Sequence, residues 1–221
     1  MKGVWAIIVA AGEGRRFGSA KQFAALKGRP LLDWTVDAFE AHPEVGEIVL
    51  VLPDEKAGAR FIDRYPKITA VVRGGRRRQD SVRHGFARVR AGAGDVVLVH
   101  DGARPLVSRE VISRVIREAG RRGAAIPAVP VEDTIKESVR GKVVRTVDRA
   151  NLFRVQTPQG FSYAVLEKVL RRARLAKWAA TDEAGLAERA GVEVRLVEGD
   201  PRNIKVTTPS DLKLAEVFLG D

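Results

Sequence analysis

The feature that most limits the fold is the segment Val4–Ala10, an unbroken apolar run that leads straight into Ala11-Gly12-Glu13-Gly14. A strand that is apolar at every position is buried on both faces, which calls for a sheet covered by helices on either side. The chain then repeats the theme. Strand-like runs at Glu47–Leu52, Ile68–Val72, Val96–His100 and Ala124–Val129 alternate with helical periodicity over Leu31–Ala41, Lys56–Tyr65, Asp80–Arg90 and Ser108–Arg121. Helices follow at Tyr163–Arg174, Asp182–Ala190 and Ser210–Phe218, with late strands at Val192–Val197 and Asn203–Val206. Ser108 and Ser210 stand where N-caps are expected. This alternation predicts an α/β fold built on a mostly parallel, twisted sheet flanked by helices.

One stretch departs from the pattern. Val131, Asp133, Ile135 and then Val143, Arg145, Val147 alternate with period two around a turn at Ser138–Lys142, which predicts a β-hairpin over 131–149. It carries few apolar residues to dock on a core, so a protruding arm packed against a partner subunit is expected. With 221 residues, one domain over 1–221 accommodates everything else. The chain has no cysteine, which removes disulfides and thiolate metal sites. No apolar run reaches membrane-spanning length, and Val4–Ala11 enters a glycine loop instead of a cleavage site. The expected location is cytoplasmic.

The net charge of +11 raises the possibility of a nucleic-acid partner. The arginines are spread over many segments, however, and aromatics make up only 6%. Anionic small molecules account for part of the excess equally well.

The strongest local motif is Ala10-Ala11-Gly12-Glu13-Gly14-Arg15-Arg16-Phe17-Gly18, with Lys21 three residues on. Small residues after a strand let backbone N–H groups approach phosphate oxygens, and Arg16 and Lys21 supply neutralising charge. An ordinary tight turn is the plainer reading. The dinucleotide fingerprint fails on glycine spacing, and no Gly-Lys-Ser/Thr follows to make a Walker A loop. Asp101 ends a strand, where α/β sheets bind ligands, or else caps the turn into Arg104-Pro105. Ser81 and Thr181 each read equally as helix caps, Lys205 as a solvated strand end, and Arg76-Arg77-Arg78 as a solvated loop.

Taken together, the motifs resemble those of nucleotidyltransferases that activate sugars and polyols. The ordered set narrows the resemblance to the methylerythritol-phosphate cytidylyltransferase family. It comprises the glycine loop with Lys21-Gln22, Gly74-Gly75 with Arg78-Gln79-Asp80-Ser81-Val82, and Val99-His100-Asp101-Gly102-Ala103-Arg104-Pro105. It continues with Asp133-Thr134-Ile135-Lys136, Thr146-Val147-Asp148-Arg149, Gln156-Thr157-Pro158-Gln159, Thr181-Asp182-Glu183-Ala184, and Gly199 with Asn203-Ile204-Lys205-Val206-Thr207.

The resemblance implies a Rossmann-like nucleotidyltransferase fold and transfer of CMP from CTP to 2-C-methyl-D-erythritol 4-phosphate. It assigns Arg16, Lys21 and Lys205 to holding and neutralising phosphates during catalysis. Ala10, Ala11 and Gly12 offer backbone contacts to the nucleotide, and Gly75, Arg78, Ser81, Asp101, Gly102 and Ala103 border the cytidine. Arg104, Thr157 and Thr181 hold the acceptor, joined by Thr134 and Arg149 from the arm, which crosses to a neighbouring subunit in a homodimer. Mg²⁺ is expected on the CTP phosphates rather than in a protein cage. No nucleic-acid or membrane partner is implied.

The chemistry agrees with the residue set. A phosphate monoester has a second pKa near 6, so the attacking oxygen is ionised at neutral pH and needs no general base. His42, His84 and His100 are accordingly read as structural or surface groups. Ribitol 5-phosphate is the alternative acceptor, since that family shares most of these motifs. A non-catalytic nucleic-acid binder is the distant alternative, and it has no use for the phosphate loop. Three positions depart from the family pattern. Val9 stands where Pro is common, Gly102 where Ala is common, and Arg76 where an acid is common. Gly102 is expected to add backbone freedom beside the base, and any contact inferred at position 76 is set aside.

Overall fold

The computed structural model describes residues 3–12, 17 and 21–220. In chain order the strands are β1 (Val4–Val9), β2 (Ala25–Leu26), β3 (Arg29–Pro30), β4 (Glu47–Leu52), β5 (Ile68–Arg73) and β6 (Val96–Asp101). They continue with β7 (Ala124–Pro130), β8 (Ile135–Val139), β9 (Lys142–Val147), β10 (Phe153–Val155), β11 (Gln159–Ser162) and β12 (Arg195–Glu198). The helices are α1 (Leu31–Glu40), α2 (Ala59–Arg64), α3 (Arg78–Phe86), α4 (Arg109–Arg122), α5 (Tyr163–Leu175), α6 (Glu183–Arg189) and α7 (Pro209–Phe218).

The main sheet runs β10-β7-β11-β6-β1-β4-β5, with β12 also on β7. Strands β6, β1, β4 and β5 are parallel neighbours, and β12 is parallel to β7. Strands β10 and β11 run antiparallel to theirs. The unbroken apolar runs have the expected cause. In β1, Val4, Ala6 and Ile8 enter one core while Trp5 and Ile7 enter the other, and in β6 Val96 and Leu98 oppose Val97 and Val99. The first core takes residues of α1 and α4, the second those of α3, α5 and α6.

Several boundaries differ from expectation, each for a local reason. Helix α3 starts at Arg78, because Asp80 serves as the third helical residue and accepts the Arg77 backbone N–H at 3.3 Å. Helix α7 is capped by Thr208, not Ser210: Pro209 takes the first helical position, and the Asp211 carboxylate accepts the Thr208 N–H. Helix α6 is capped by Asp182, whose side chain accepts the Gly185 N–H at 3.0 Å, and not by Thr181. Ser108 caps α4 as expected, and Gly123 closes it in the left-handed region.

The segment Asn203–Val206 is not a strand. It is tied by single bonds, Val206 N–H to Ala103 O and Asn203 Nδ2 to Thr157 O, and not by a ladder. Strand β11 has no counterpart in the expected pattern. Gly160 breaks its pattern, and a side chain there would strike Val115 of α4 at 2.5 Å. The hairpin β8–β9 forms as expected, but its turn is the tighter Arg140-Gly141 pair, both at positive φ. Its Val139, Val143 and Val144 are exposed.

Candidate active site

Beyond the C-terminal ends of β1, β5 and β6 lies a cavity of about 480 Å³. A parallel sheet leaves its binding crevice at this edge. Three loops form the walls: Val9–Gly12 after β1, Gly75–Arg78 leading into α3, and Asp101–Ala103 at the end of β6; Gln22, Ser81 and Lys205 complete it. The loops interlock because their glycines allow close approach. A Cβ on Gly74 would lie 2.1 Å from the Ala11 Cβ, and one on Gly102 would lie 2.8 Å from the Ala10 Cβ. Gly102 therefore serves close packing, not the backbone freedom expected of it. Gly74→Ala is expected to push Ala11 into the cavity and weaken nucleotide binding about tenfold or more, a cost of overpacking by roughly 1–3 kcal/mol. Titration calorimetry with CTP checks it, and unchanged affinity would refute the close-approach account.

Ser81 does not cap its helix. From the first turn of α3 its hydroxyl accepts the Gly75 N–H at 3.0 Å and reaches the Arg77 carbonyl at 3.3 Å, bracing the loop that carries Gly75. Asp101 does not cap a turn either. Its Oδ1 accepts from Arg78 Nε at 2.8 Å and its Oδ2 from Lys205 Nζ at 2.6 Å. Burial alone would raise the Asp101 pKa, but Arg78 and then Lys205 hold it well below the usual carboxylate range. Arg78 Nη1 also donates to Glu183 Oε2 at 2.6 Å. Burial works against the charge on Arg78, and Asp101 with Glu183 overcomes it, so the guanidinium stays protonated.

Behind this wall the neutral tautomer of His100 can be read from its partners. Its Nε2 lies 3.2 Å from the Arg104 carbonyl, which can only accept, so Nε2 carries the proton. Its Nδ1 then accepts from the Thr157 hydroxyl at 3.1 Å, and that hydroxyl accepts the Asp101 N–H. Complete burial pushes the His100 pKa down to about 3. The unfolded imidazole takes up a proton below about 6.5 that the folded one refuses, so stability falls as pH drops through this range toward 3. His100→Gln is expected to flatten the slope of melting temperature between pH 6.5 and 4.5. His42, lowered chiefly by burial, leaves part of the slope. An unchanged slope in the variant would contradict the assignment.

Of the residues singled out from sequence, Ala10, Ala11, Gly12, Gly75, Arg78, Ser81, Asp101, Gly102, Ala103 and Lys205 all line this cavity. Arg16 and the Lys21 side chain lie outside the described residues. The acceptor set is not gathered with them. Thr157 sits behind the wall with its hydroxyl engaged as above. The Arg104 guanidinium turns to the Asn203 carbonyl at 2.7 Å, and burial lowers its pKa. Thr181 is exposed ahead of α6, and Thr134 and Arg149 are exposed at the base of the arm, where Arg149 donates to the Glu132 carbonyl. Four groups were missed: Arg76, Arg77, Gln22 and Glu183. Arg76 and Arg77, expected as a solvated loop, also line the cavity. Gln22 is buried in the lining with an unpartnered Nε2, and its only sequence signal was its place beside Lys21. Glu183 reaches the cavity only through Arg78, and its signal was hidden in a run that capping explained.

Among the described residues no group of three or more His, Asp or Glu side chains could hold a metal ion. The carboxylate in the lining, Asp101, is already committed to two cations. The donor set does not fit a protein-built metal cage. The site suits an anionic ligand: Lys205, Arg76 and Arg77 line a space of nucleotide size.

Residues 4–221 match the family model described as IspD, 2-C-methyl-D-erythritol 4-phosphate cytidylyltransferase. The chain is 42% identical to the enzyme so named from Syntrophotalea carbinolica, covering 98% of this chain and 96% of that protein. It is 45% identical to the one from Symbiobacterium thermophilum, covering 97% and 92%. Its fold resembles the crystal structure of 2-C-methyl-D-erythritol 4-phosphate cytidylyltransferase from Thermus thermophilus with a TM-score of 0.83, at 35% identity over 97% of this chain and 98% of that one.

Proposed function

The chain belongs to the 2-C-methyl-D-erythritol 4-phosphate cytidylyltransferase family, and on that premise we infer that it transfers CMP from CTP to the phosphate of 2-C-methyl-D-erythritol 4-phosphate, releasing pyrophosphate. The observation that carries this reading is the convergence of Ala10–Gly12, the Asp101 loop and Lys205 on one cavity in a chain matched by the family over residues 4–221. The curated relatives favour this acceptor over ribitol 5-phosphate, and an enzyme over a nucleic-acid binder.

The acceptor phosphate, already ionised, attacks the α-phosphorus in line, and pyrophosphate departs with its electron pair. The protein positions two polyanions and offsets charge that grows on the α-phosphate and the leaving group. Lys205 lies at the cavity wall to receive a phosphate, and Arg16 and Lys21 are assigned to the same task on the resemblance alone. The Ala10–Gly12 backbone and the Gly75 and Asp101–Ala103 loops border the nucleotide. Thr157 contributes by fixing the Asp101 backbone as well as by any contact with the acceptor. Mg²⁺, expected with CTP and not on the lining's committed carboxylate, would supply charge neutralisation for the phosphates.

Arg104, Thr181, Thr134 and Arg149 are assigned to the acceptor. The last two are exposed, away from their own chain's cavity lining, and the arm's valines are exposed, which supports an arm that crosses to a second copy in a homodimer. Among the described residues no helix is long and apolar enough to cross a membrane, and a cytoplasmic location is proposed. The test is pyrophosphate release with Mg²⁺ and CTP, adding each polyol phosphate separately. Turnover with ribitol 5-phosphate in preference would keep the nucleotide site and overturn the acceptor. Silence with both would overturn the activity.

A further inference from the structure

Glu183 is fully buried, outside the cavity lining, yet joined to it by an ion pair with Arg78. Its Oε2 accepts from Arg78 Nη1 at 2.6 Å, Arg78 Nε donates to Asp101 Oδ1 at 2.8 Å, and Asp101 Oδ2 accepts from Lys205 Nζ at 2.6 Å. The charges alternate from the interior to the cavity wall, and each link uses different atoms. No member can turn without releasing its neighbour. Glu183 Oε1 and Arg78 Nη2 are buried with no partner, so Arg78 is the compensation for this carboxylate that the described side chains offer.

A buried carboxylate held by one partner is a weak way to stabilise a fold, since an apolar side chain of like volume often serves as well or better. What the charge adds is direction. Drawn toward Glu183, the guanidinium meets Asp101 through Nε only, and one carboxylate oxygen is left for Lys205. Without that pull, a guanidinium fork favours taking both oxygens of one carboxylate. Lys205 would then share its oxygen with the guanidinium and shift from its place at the wall.

We propose that Glu183 is a positioning residue for nucleotide binding, which aims Arg78 so that Asp101 holds the Lys205 ammonium at the cavity wall. The proposal rests on the reading of the cavity as the CTP site, but it does not depend on which acceptor is used. The test is a double-mutant cycle of Glu183→Gln and Lys205→Met, read as CTP affinity by titration calorimetry with no acceptor present. Melting temperature is recorded for each protein.

With Lys205 in place, Glu183→Gln is expected to weaken CTP binding about tenfold, a coupling of the size found between directly networked residues. In the Lys205→Met background the same change is expected to cost less than about twofold. A purely structural role would lower the melting temperature and cost the same affinity in both backgrounds, and that result overturns the proposal. Should Glu183→Gln fail to fold, Glu183→Asp takes its place in the cycle. It keeps the charge but withdraws it by one methylene, and the same non-additivity is required of it. A wild-type protein that does not bind CTP would overturn the site assignment itself, a failure separate from additive losses in a protein that does.

Discussion

Lys205→Met is expected to lower turnover by about 10²- to 10³-fold, the usual cost of removing one preorganised group that offsets charge in a transition state. The same change is expected to leave the melting temperature within a few degrees of the parent. Both halves follow from the position of the ammonium. Its side chain is 37% exposed at the cavity wall, where it faces the space a phosphate would fill, and it is therefore cheap to lose for folding. Its partner Asp101 keeps the contact with Arg78 at 2.8 Å, so no buried carboxylate is abandoned. A steady-state assay of pyrophosphate release alongside a thermal melt checks the pair. Turnover within threefold of the parent would remove Lys205 from the catalytic set, and a large fall in melting temperature would recast it as structural.

Arg78→Met is expected to have the opposite profile, with its main effect on the fold. The guanidinium compensates two buried carboxylates, Asp101 and Glu183, and removing one partner of a buried ion pair costs about 3–5 kcal/mol. For a chain of this length that corresponds to a drop of roughly 10 °C in melting temperature. The pH response supplies the sign. In the parent, Asp101 titrates below its ordinary value of 3.8, so its contribution is in place above that pH and is lost as pH falls further. Glu183 is raised from 4.5, mainly by burial and against the pull of Arg78, so its contribution is full below 4.5 and is lost as pH rises through the folded value.

Without Arg78, Asp101 keeps its contact with Lys205, but burial is unopposed at Glu183, which then prefers its proton. Acidification then favours the folded variant. The gap in melting temperature between parent and variant is expected to narrow from pH 7.5 to pH 5. A gap that stays constant or widens would mean that Glu183 is not what Arg78 supports.

Much of the scaffold was legible in the residues because its causes are local. The two-sided burial of β1 and β6 is written in their unbroken apolar runs, and the hairpin arm in its period-two alternation. The cap of α4 was readable for the same reason: Ser108 acts on an N–H three residues away. Errors arose where two local signals competed. Thr208-Pro209-Ser210 offers two possible caps, and Pro at the first helical position decides for Thr208. Thr181-Asp182 offers two more, and Asp182 also accepts from Gln159 Nε2 at 2.7 Å, a contact that no local pattern announces.

Local residue patterns were enough for the α/β layering, for the small residues Ala10–Gly12 that follow β1, and for an ordered set of motifs from which the family could be recognised. They also determined most of the cavity lining, because each loop end carries its own small or charged residues. Which of these residues touch was set by packing in three dimensions. Lys205 and Asp101 are 104 positions apart and Arg78 and Glu183 are 105 apart, and such pairs form when packed helices and strands bring distant loop ends to one edge of the sheet. Packing also decided the tautomer of His100 and the engagement of the Thr157 hydroxyl behind the cavity wall. Periodicity encodes which face of an element is buried. The partner a buried charge finds depends on the orientation of whole elements, and that is settled by packing.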